Sequence, residues 1–399
     1  MGNVTSHRVW QTAVSSVVLM LGLSACSADP APSSAAPSPA VCVPQDGSSL
    51  APASGILSGV NLDWEQETLQ EYGTALRHRP AVVVSFASFP LSSDAAANLE
   101  AAFEQVRSEG GILLLTLEPR AGLSAVTSQV TDDLATTADR YNRAGVPVIV
   151  RFAHEMNGSW YEWGQQPAAY KKAFRRVAES IHRIAPGSAT MWAPNYGGGY
   201  PFAGGRHQVK PQTQAFRDLD TNQDGKITGD DDPYAPYYPG DEAVDWVGMS
   251  LYHWGNSYPW GANVVPEEGK FLQQLTGTYN GDGGDDTAVP DFYAEYGEVR
   301  GKPVAVPETA ALSIPGRAGA EELAIKQAWW QQLFDPSIPE EYPQLKMVNW
   351  FEWNKNEVEV DAVVDWRSAG TSGIAQAFTA DLPDWFLFAE QPPSCRPAP

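Results

Sequence analysis

Basic side chains are scarce in this sequence of 399 residues. It has 26 lysines and arginines against 48 aspartates and glutamates, which gives a formal net charge of −22 at pH 7. A negative field of this size repels the phosphate backbone of nucleic acids and the surface of anionic membranes. We therefore expect no nucleic-acid partner.

Cysteine is scarce as well, and its spacing has no metal-site signature. The chain has three cysteines, of which Cys42 and Cys395 flank the predicted folded region. In an oxidising compartment these two are expected to form a disulfide that ties the chain ends together, because even cysteine counts in exported proteins usually pair. Two free thiols are the alternative.

The apolar stretch near the N-terminus is too short to span a membrane comfortably. It runs over residues 9–23 and is followed by small residues, which predicts a signal peptide over residues 1–25. Leu23-Ser24-Ala25-Cys26 resembles a lipobox, so cleavage before a lipidated Cys26 is expected, with ordinary secretory cleavage as the alternative. Residues 26–50 are rich in Ser, Ala and Pro and are predicted to form a tether. We expect an extracellular or cell-surface protein, attached to a membrane only through that lipid.

A glycine-rich nucleotide-binding fingerprint is also missing. The residues after the first predicted strand read NLDWEQ (61–66), which disfavours an open doubly wound sheet. Eight short apolar runs recur along the chain, at residues 55–62, 81–89, 111–119, 146–154, 189–196, 245–253, 302–310 and 346–353. Helical spacing occupies several intervals between them, at residues 94–109, 128–144, 167–184 and 320–334. This alternation predicts an α/β fold, a (β/α)8 TIM barrel over residues 51–399 with long loops on the catalytic face.

Acidic residues stand at or near the predicted strand ends, where barrel enzymes carry their chemistry. They are Asp63, Glu118, Glu155, Glu308 and Glu352. Hydrolysis of a glycosidic bond by the usual route needs two carboxyl groups, one to protonate the leaving oxygen and one to attack the anomeric carbon or activate water. We select Glu155 and Glu308 as that pair.

A resemblance to a known family rests on two segments around these glutamates. The sequence RFAHEMNG (151–158), followed by Trp160 and Trp163, resembles the acid/base segment of glycoside hydrolase family 26, the β-mannanase family of clan A, and KPVAVPETA (302–310) resembles its nucleophile strand. The similarity extends from about residue 56 to about residue 388. It implies a barrel in which Glu155 is the general acid/base and Glu308 the nucleophile. Pro307 and the Thr-Ala pair after Glu308 depart from the family pattern, where small residues and a glycine are usual.

Several neighbouring residues are candidates for contact with a sugar. The chain is rich in aromatic residues, whose faces suit the flat CH-bearing faces of neutral sugars, although filling a large core is an equally good explanation. The candidate substrate-binding residues are His154, Asn157, Trp160, Trp163, Tyr252, Trp254 and Trp353. Tyr252 is also expected to donate its hydroxyl to Glu308 and keep it ionised. Arg151 is predicted either to pair with a carboxylate or to be solvated at the barrel rim.

The segment DTNQDGKITGDD (220–231) has the spacing of a calcium-binding loop. Gly225 stands at the turn position, and position 12 of the loop is an aspartate rather than the usual glutamate, which should weaken binding. The predicted ligands are Asp220, Asn222, Asp224, the Lys226 carbonyl, Thr228 and Asp231. A structural Ca²⁺ is expected to order the insertion at about residues 197–245, which has no helical pattern of its own; an acidic solvated loop is the alternative.

These features together predict a monomeric, retaining glycoside hydrolase. We expect it to cleave internal β-linkages of a neutral polysaccharide, with β-1,4-mannan first, and to need no cofactor for catalysis. A β-glucanase or β-xylanase is the enzymatic alternative. A barrel that binds polysaccharide without cleaving it is the alternative from another class.

Overall fold

The computed structural model describes residue 44 and residues 46–389 of the chain. The predicted signal peptide, the lipobox and the Cys42–Cys395 pair lie outside this part of the chain. Within the described residues no helix is both long and apolar enough to cross a membrane.

Eight parallel strand positions close into a barrel, which confirms the predicted (β/α)8 TIM barrel. The order is β11-β1-β2-β3-β4-β5-β6-β10, and β10 also pairs with β11 to complete the ring. The strands in chain order are β1 (Ile56–Leu62), β2 (Val82–Ser88), β3 (Ile112–Glu118), β4 (Val148–Phe152), β5 (Ala189–Trp192), β6 (Trp246–Gly248), β7 (Leu251–His253), β8 (Asn280–Gly281), β9 (Gly284–Asp285), β10 (Val304–Ala311), β11 (Leu345–Glu352), β12 (Asn354–Glu357), β13 (Ala362–Asp365) and β14 (Phe386–Leu387).

The sixth barrel position is split into two short strands. β6 pairs with β5 and with the start of β10, whereas β7 pairs with the end of β10, from Thr309 to Ala311. Met249 and Ser250 lie in the break, and Ser250 forms an isolated parallel bridge with Asn195. The sequence run 245–253 predicts one continuous strand, and the break carries a site residue that this prediction misses.

Helices alternate with the barrel strands, and several of them begin at a side-chain cap. They are α1 (Leu69–Leu76), α2 (Ser93–Glu109), α3 (Ser128–Arg143), α4 (Pro167–Ile184), α5 (Gln214–Leu219), α6 (Lys270–Leu275), α7 (Glu322–Leu333), α8 (Ile338–Glu341) and α9 (Ser372–Asp381). The side chains of Thr68, Ser92 and Thr127 accept backbone N–H bonds at the starts of α1, α2 and α3. Pro167 begins α4, where its missing N–H costs no helical hydrogen bond.

Apolar side chains form two layers, one inside the barrel and one between strands and helices. The interior cluster includes Val82, Leu114, Met191, Trp246 and Met347, which all come from the inward face of the barrel strands. The larger cluster contains the opposite strand faces and the inner faces of the helices. A barrel filled in this way has no through-channel, so the site must lie at one of its ends.

Two segments differ from the expectations for loops. The insertion at 197–245, predicted without helical pattern, contains α5 and a 3₁₀ turn at Ala235–Tyr237, and Thr213 caps α5 with its hydroxyl. Residues 47–50, at the end of the predicted tether, form a 3₁₀ turn, and the Gly47 N–H donates to the Pro186 carbonyl at 2.7 Å. The chain therefore contacts the barrel domain already at Gly47.

Candidate active site

Glu155 lies three residues past the end of β4, on a tight turn with two unusual torsions. The φ angles are 49° at Ala153 and 53° at Glu155, in the left-handed region that residues with a Cβ seldom adopt. The Glu155 N–H donates to the Ala193 carbonyl after β5 at 2.9 Å, and the Gly158 N–H donates to the Glu155 carbonyl at 2.9 Å. Torsions of this kind cost of order 1–3 kcal/mol each and concentrate at functional sites. The backbone hydrogen bonds of this turn fix the position of the Glu155 Cα atom, from which its side chain projects.

Glu308 stands inside β10, three residues before the strand ends, rather than at the end of a strand as expected. The register between β10 and β11 shifts between Val306 and Thr309, so an irregularity in the ladder falls at Pro307 and Glu308. Proline has no N–H to give to a ladder, which explains why regular pairing stops here. The departure from the family pattern at Pro307 therefore coincides with a bulge that carries the candidate nucleophile.

Two buried donors hold the Glu308 carboxylate. Arg151, which projects from β4 and is fully buried, forms an ion pair with Glu308 Oε1. Tyr252 Oη donates to Glu308 Oε2 at 2.8 Å, the hydrogen bond that the sequence predicts. Arg151 is thus paired with a carboxylate rather than solvated at the rim. A cation and a hydroxyl together stabilise a negative charge on Glu308.

The surroundings of Glu155 favour its protonated form. Burial, and next the negative charge of Glu308, raise the pKa of Glu155 from 4.5 to about 7, while Arg151 and hydrogen bonds from Ser250 and Trp160 act in the opposite direction. Burial and the charge of Glu308 also hold the pKa of Tyr252 well above its usual range, so this phenol remains a donor. A raised pKa keeps a proton on Glu155 at neutral pH or below, as a general acid requires.

Trp160 is the predicted aromatic residue with the most direct link to the candidate acid. Its Nε1 donates to Glu155 Oε2 at 3.1 Å, and 37% of its surface remains exposed. The edge of its indole packs on Phe202 from the long insertion, with ring centroids 5.1 Å apart. A partly exposed ring beside the acid is well placed to contact a sugar, which is what the sequence predicts for Trp160.

Trp163 and Asn157 have structural partners instead. Trp163 is fully buried, donates from Nε1 to the His154 carbonyl at 2.7 Å and stacks on Tyr161. Asn157 is also fully buried, and its amide both donates to the Asn195 carbonyl and accepts from the Asn195 N–H, each at 2.8 Å. Neither side chain has a free face for a sugar in this structure. Both hold the turn that follows β4, which is a different role from the predicted substrate contact.

His154 is buried between aromatic rings next to the ion pair. Its ring lies 5.5 Å from Phe86 and 5.1 Å from Tyr161, between centroids. Burial first, and then the charge of Arg151, lower the pKa of His154 well below its usual range, so the imidazole is neutral. Its Nδ1 has no hydrogen-bond partner. Because that nitrogen is buried as well, the sugar contact of His154 stays a prediction.

Trp254 and Trp353 are half-buried on the same side of the barrel. Trp254 packs edge-on against Trp366, with centroids 4.9 Å apart. Trp353 lies parallel to Phe351 at 5.7 Å and donates from Nε1 to Asn61 Oδ1 at 3.3 Å. Each indole keeps an exposed part, and their role as stacking platforms stays a prediction.

The other three acidic residues near strand ends have local partners. Asp63 accepts the Glu65 N–H at 3.2 Å at the start of the turn after β1. Glu118 accepts from Arg120 at 2.7 Å. Glu352 is buried and accepts three hydrogen bonds from the chain at Ser368 and the next residue. These local contacts distinguish the three residues from Glu155 and Glu308. The sequence pattern alone does not make that distinction.

The predicted calcium loop forms a compact turn in which its acidic side chains accept backbone N–H groups. Asp220 accepts from Gly225, Asn222 from Asp224, and Asp231 from Thr228 and the start of the loop. Gly225 has φ of +85°, as the turn position requires. Asp220 Oδ1 has no partner. No cluster of three or more His, Cys, Asp or Glu arranged to hold a metal occurs among the residues that the structure describes.

Sequence reasoning missed Ser250 and Arg120. Ser250 Oγ accepts from Arg151 Nη2 at 2.9 Å. Arg120 pairs with Glu118 and places its guanidinium 5.9 Å from the ring centroids of both Tyr161 and Trp163. The small serine in SLYHWG gave no signal because its hydrogen-bond partner is 99 residues away.

The barrel and its pair of buried glutamates can be compared with known proteins. The family described as Glycosyl hydrolase family 26 matches residues 117–193, which include the end of β3, all of β4 and β5, and Glu155. The match confirms the resemblance to glycoside hydrolase family 26 that the two motifs indicate.

Individual relatives are distant. A mannan endo-1,4-beta-mannosidase of Bifidobacterium adolescentis is 27% identical over 142 residues, which cover 34% of this chain and 12% of the relative. Endoglucanase H of Acetivibrio thermocellus is 23% identical over 273 residues, which cover 66% of this chain and 23% of the relative. The chain thus spans less than a quarter of either curated relative.

A solved structure of a modular endo-beta-1,4-mannanase from Cellulomonas fimi shares the fold. Its TM-score is 0.55 at 16% identity, over 88% of this chain and 77% of the other. At this level of identity the likeness concerns the barrel alone.

Proposed function

We propose that this chain is a retaining glycoside hydrolase that cleaves internal β-linkages of a neutral polysaccharide. One observation carries the proposal: Arg151 and Tyr252 hold the Glu308 carboxylate, while burial and the negative charge of Glu308 raise the pKa of Glu155 to about 7. Double displacement uses such a pair, one carboxylate that attacks the anomeric carbon and one carboxyl group that carries a proton. Their unlike surroundings give each glutamate a separate task.

The proposed mechanism assigns attack to Glu308 and proton transfer to Glu155. Glu308 forms a bond to the anomeric carbon while the bond to the leaving oxygen breaks, and Glu155 gives its proton to that oxygen. In the second step Glu155 takes a proton from water, the water oxygen attacks the anomeric carbon, and Glu308 leaves as a carboxylate. Two inversions retain the β-configuration.

β-1,4-Mannan is the first substrate that we propose. The family match and the named activity of the Bifidobacterium relative support this choice. The Acetivibrio relative is named an endoglucanase, so β-glucan is the second candidate and β-xylan the third. The net charge of −22 disfavours polyanionic glycans.

A barrel that binds polysaccharide without cleaving it is the competing function. It would need neither a protonated Glu155 nor an ion-paired Glu308. Incubation with mannan, mixed-linkage β-glucan and xylan, followed by measurement of reducing ends, distinguishes the two. We expect reducing ends from mannan, and a fall in viscosity ahead of sugar release if cleavage is internal. Binding to mannan with no reducing ends would favour the silent barrel.

We also propose that the loop at residues 220–231 binds a structural Ca²⁺. Support comes from the ligand spacing, from the turn at Gly225 and from Asp220 Oδ1, which has no partner. An ion that binds only the folded chain raises its melting temperature by mass action. We expect chelator to lower Tm in wild type but not in Asp224→Ala. Equal Tm values with and without chelator in wild type would contradict the proposal.

Export to the cell surface remains a proposal from the sequence of residues 1–50. Lipid on Cys26 is tested by expression in a bacterial host with fatty-acid labelling, with Cys26→Ser as the control. We expect label in the wild type only. Unlabelled, fully released protein would favour ordinary secretory cleavage.

A further inference from the structure

We propose that Phe202 is a positioning residue that holds the indole of Trp160 against the candidate acid/base Glu155. The proposal rests on the proposed function, because it assigns Phe202 a task in that same reaction. Phe202 is half-buried and lies in the long insertion between β5 and β6. Its ring packs edge-on against Trp160, with centroids 5.1 Å apart and ring planes at 70°.

Ser159 attaches the insertion to the turn that carries the acid. Its Oγ donates to the Phe202 carbonyl, and its own carbonyl accepts the His207 N–H at 2.8 Å. Ser159 is 1% exposed and directly precedes Trp160. A Cβ on Gly205 would lie 2.0 Å from Ser159 Oγ, so the two segments approach as closely as only a glycine allows. Phe202 and Trp160 are therefore linked through the backbone as well as through their rings.

Gln165 makes a second attachment at the far end of the same turn. Its side-chain amide donates to the Pro201 carbonyl and accepts from the Val209 N–H, each at 2.8 Å. Gln165 is buried, and its backbone N–H donates to the Met156 carbonyl at 2.8 Å. Because the insertion is bonded to both ends of the turn, the Phe202 ring has a fixed position relative to it.

The backbone of Phe202 has an unusual conformation. Its φ angle is 55°, in the left-handed region that bulky residues seldom adopt. Torsions of this kind persist only where the surrounding contacts impose them, and they concentrate at functional sites. Buried Tyr200 supports the ring from within the insertion, edge-on and with centroids 5.8 Å apart. The insertion thus holds Phe202 while Phe202 contacts Trp160.

The hydrogen bond from Trp160 determines which oxygen of Glu155 carries the proton. Trp160 Nε1 donates to Glu155 Oε2 at 3.1 Å, and an indole nitrogen is only a donor. Oε2 therefore stays an acceptor in the neutral carboxyl group, which leaves the proton on Oε1. When Glu155 is ionised, the same bond stabilises its charge. Both effects require that the indole does not turn away, and the Phe202 ring prevents this.

The test is Phe202→Ala, assayed on the polysaccharide that wild type cleaves. An indole that can turn away loses its bond to Glu155, and loss of a donor to a carboxylate makes the proton harder to remove. We expect kcat to fall about fivefold to tenfold and the alkaline limb of kcat/KM to move to higher pH. The charged and titratable groups that face Glu155 all remain in the variant; they are Glu308, Arg151, Tyr161 and Tyr252.

Trp160→Phe separates positioning from a direct contact between Phe202 and the sugar. This variant keeps a ring but has no N–H, so it should move the alkaline limb to higher pH by itself. If Phe202 acts through Trp160, Phe202→Ala in the Trp160→Phe background should move the limb no further. Limb shifts that add in the double variant, or an unmoved limb in Phe202→Ala, would overturn the role of Phe202.

Phe388→Ala is the matched control. Phe388 is also half-buried, its ring stacks on His78 with centroids 4.4 Å apart, and its backbone pairs with Pro80 at the opposite end of the barrel. The variant loses the same atoms from a similar ring contact, so it reports the effect of a lost ring alone. We expect its pH profile to match wild type. Phe202→Tyr keeps the ring and should keep the wild-type alkaline limb.

Gly205→Ala disturbs the same attachment without changing either ring. Its added Cβ meets Ser159 Oγ, so the insertion must move away from the turn. We expect the same shift of the alkaline limb as in Phe202→Ala, and this variant makes the comparison if Phe202→Ala does not fold. A wild-type limb in Gly205→Ala would contradict the proposal.

A second substrate separates positioning of the acid from damage to the nucleophile. An aryl glycoside with a very good leaving group needs no acid in the first step. Its burst of aryl release should therefore persist in Phe202→Ala while polysaccharide cleavage falls. Equal losses on both substrates would remove Phe202 from this role. An inactive wild type would refute the proposed function instead.

Discussion

Two acidic regions of the barrel mouth have opposite hydrogen-bond patterns. At the end of β11, Glu352 accepts from the Ser368 N–H and hydroxyl and from the Ala369 N–H, at 2.7–2.8 Å. Past the end of β4 and inside β10, Glu155 and Glu308 accept from side chains instead: Glu155 from Trp160, and Glu308 from Arg151 and Tyr252. A carboxylate held by backbone donors fixes a loop, whereas side-chain donors tune the charge of a carboxyl group without fixing the backbone around it.

The largest effect is expected from loss of the nucleophile. Glu308→Ala removes the atom that bonds the anomeric carbon and leaves Arg151 buried without its counter-ion. We expect turnover of every glycoside to fall below detection, including aryl glycosides with good leaving groups. Circular dichroism should show a folded chain. Persistent turnover of the aryl glycoside would remove Glu308 from the nucleophile role.

Loss of the acid/base should be more selective. Glu155→Ala is expected to reduce polysaccharide cleavage by about 10²- to 10⁴-fold, while aryl glycosides with very good leaving groups still form the covalent intermediate. Azide, which needs no base, should restore turnover and give a glycosyl azide. Turnover that is equally low on both substrates and insensitive to azide would contradict the assignment of Glu155.

The Glu352 region should respond in stability instead of chemistry. Glu352→Gln turns an N–H₂ group towards at least one of the donors from Ser368 and Ala369, and a clash of this kind costs about 1–3 kcal/mol in the free energy of unfolding. Urea denaturation should show the loss, and turnover per folded molecule should fall far less than in Glu155→Gln. The reverse ranking of the two variants would make the comparison between the regions wrong.

The pH dependence of stability and of activity should distinguish the two regions. Each region has one carboxyl group whose pKa is raised to about 7, Glu67 beside Glu352 and Glu155 beside Glu308. For Glu67 the causes are burial and then the charge of Glu352, and for Glu155 they are burial and then the charge of Glu308. Because both pKa values are raised above 4.5 on folding, their contribution to stability is present below pH 4.5 and is lost as the pH rises through 7.

Glu67→Gln is expected to flatten the fall in Tm between pH 4.5 and 7 and to leave the alkaline limb of kcat/KM in place. In wild type that limb should lie near pH 7, where Glu155 loses its proton. A shift of the limb in Glu67→Gln would mean that Glu67, and not Glu155 alone, governs the active protonation state.

The barrel strands and the four longest helices were predictable because each depends on neighbours along the chain. The period of apolar residues places α3 and α4 within one residue of their predicted ends. The break at Met249 and Ser250 was not predictable, since it depends on contacts with the loop after β5. Local sequence pattern determines these strands and helices, whereas tertiary contacts determine the break between β6 and β7.

For the site, motif and position identified Glu155, Glu308, Tyr252 and Trp160. The burial of Trp163 could not be predicted, because the sequence of an aromatic-rich turn does not distinguish a tryptophan that packs on Tyr161 from one that faces a sugar. Ser250 was invisible for a related reason: its hydrogen-bond partner Arg151 lies on another strand.

The stereochemistry of the first product tests the central assignment most directly. Proton NMR, recorded within the first minutes of hydrolysis of a β-linked oligosaccharide, follows the anomeric signals before mutarotation mixes them. Nucleophilic attack by Glu308, followed by water activated by Glu155, predicts that the β-anomer appears first. Initial appearance of the α-anomer would mean a single displacement by water, which needs carboxyl groups about 6.5–9.5 Å apart, and would contradict the roles assigned to both glutamates.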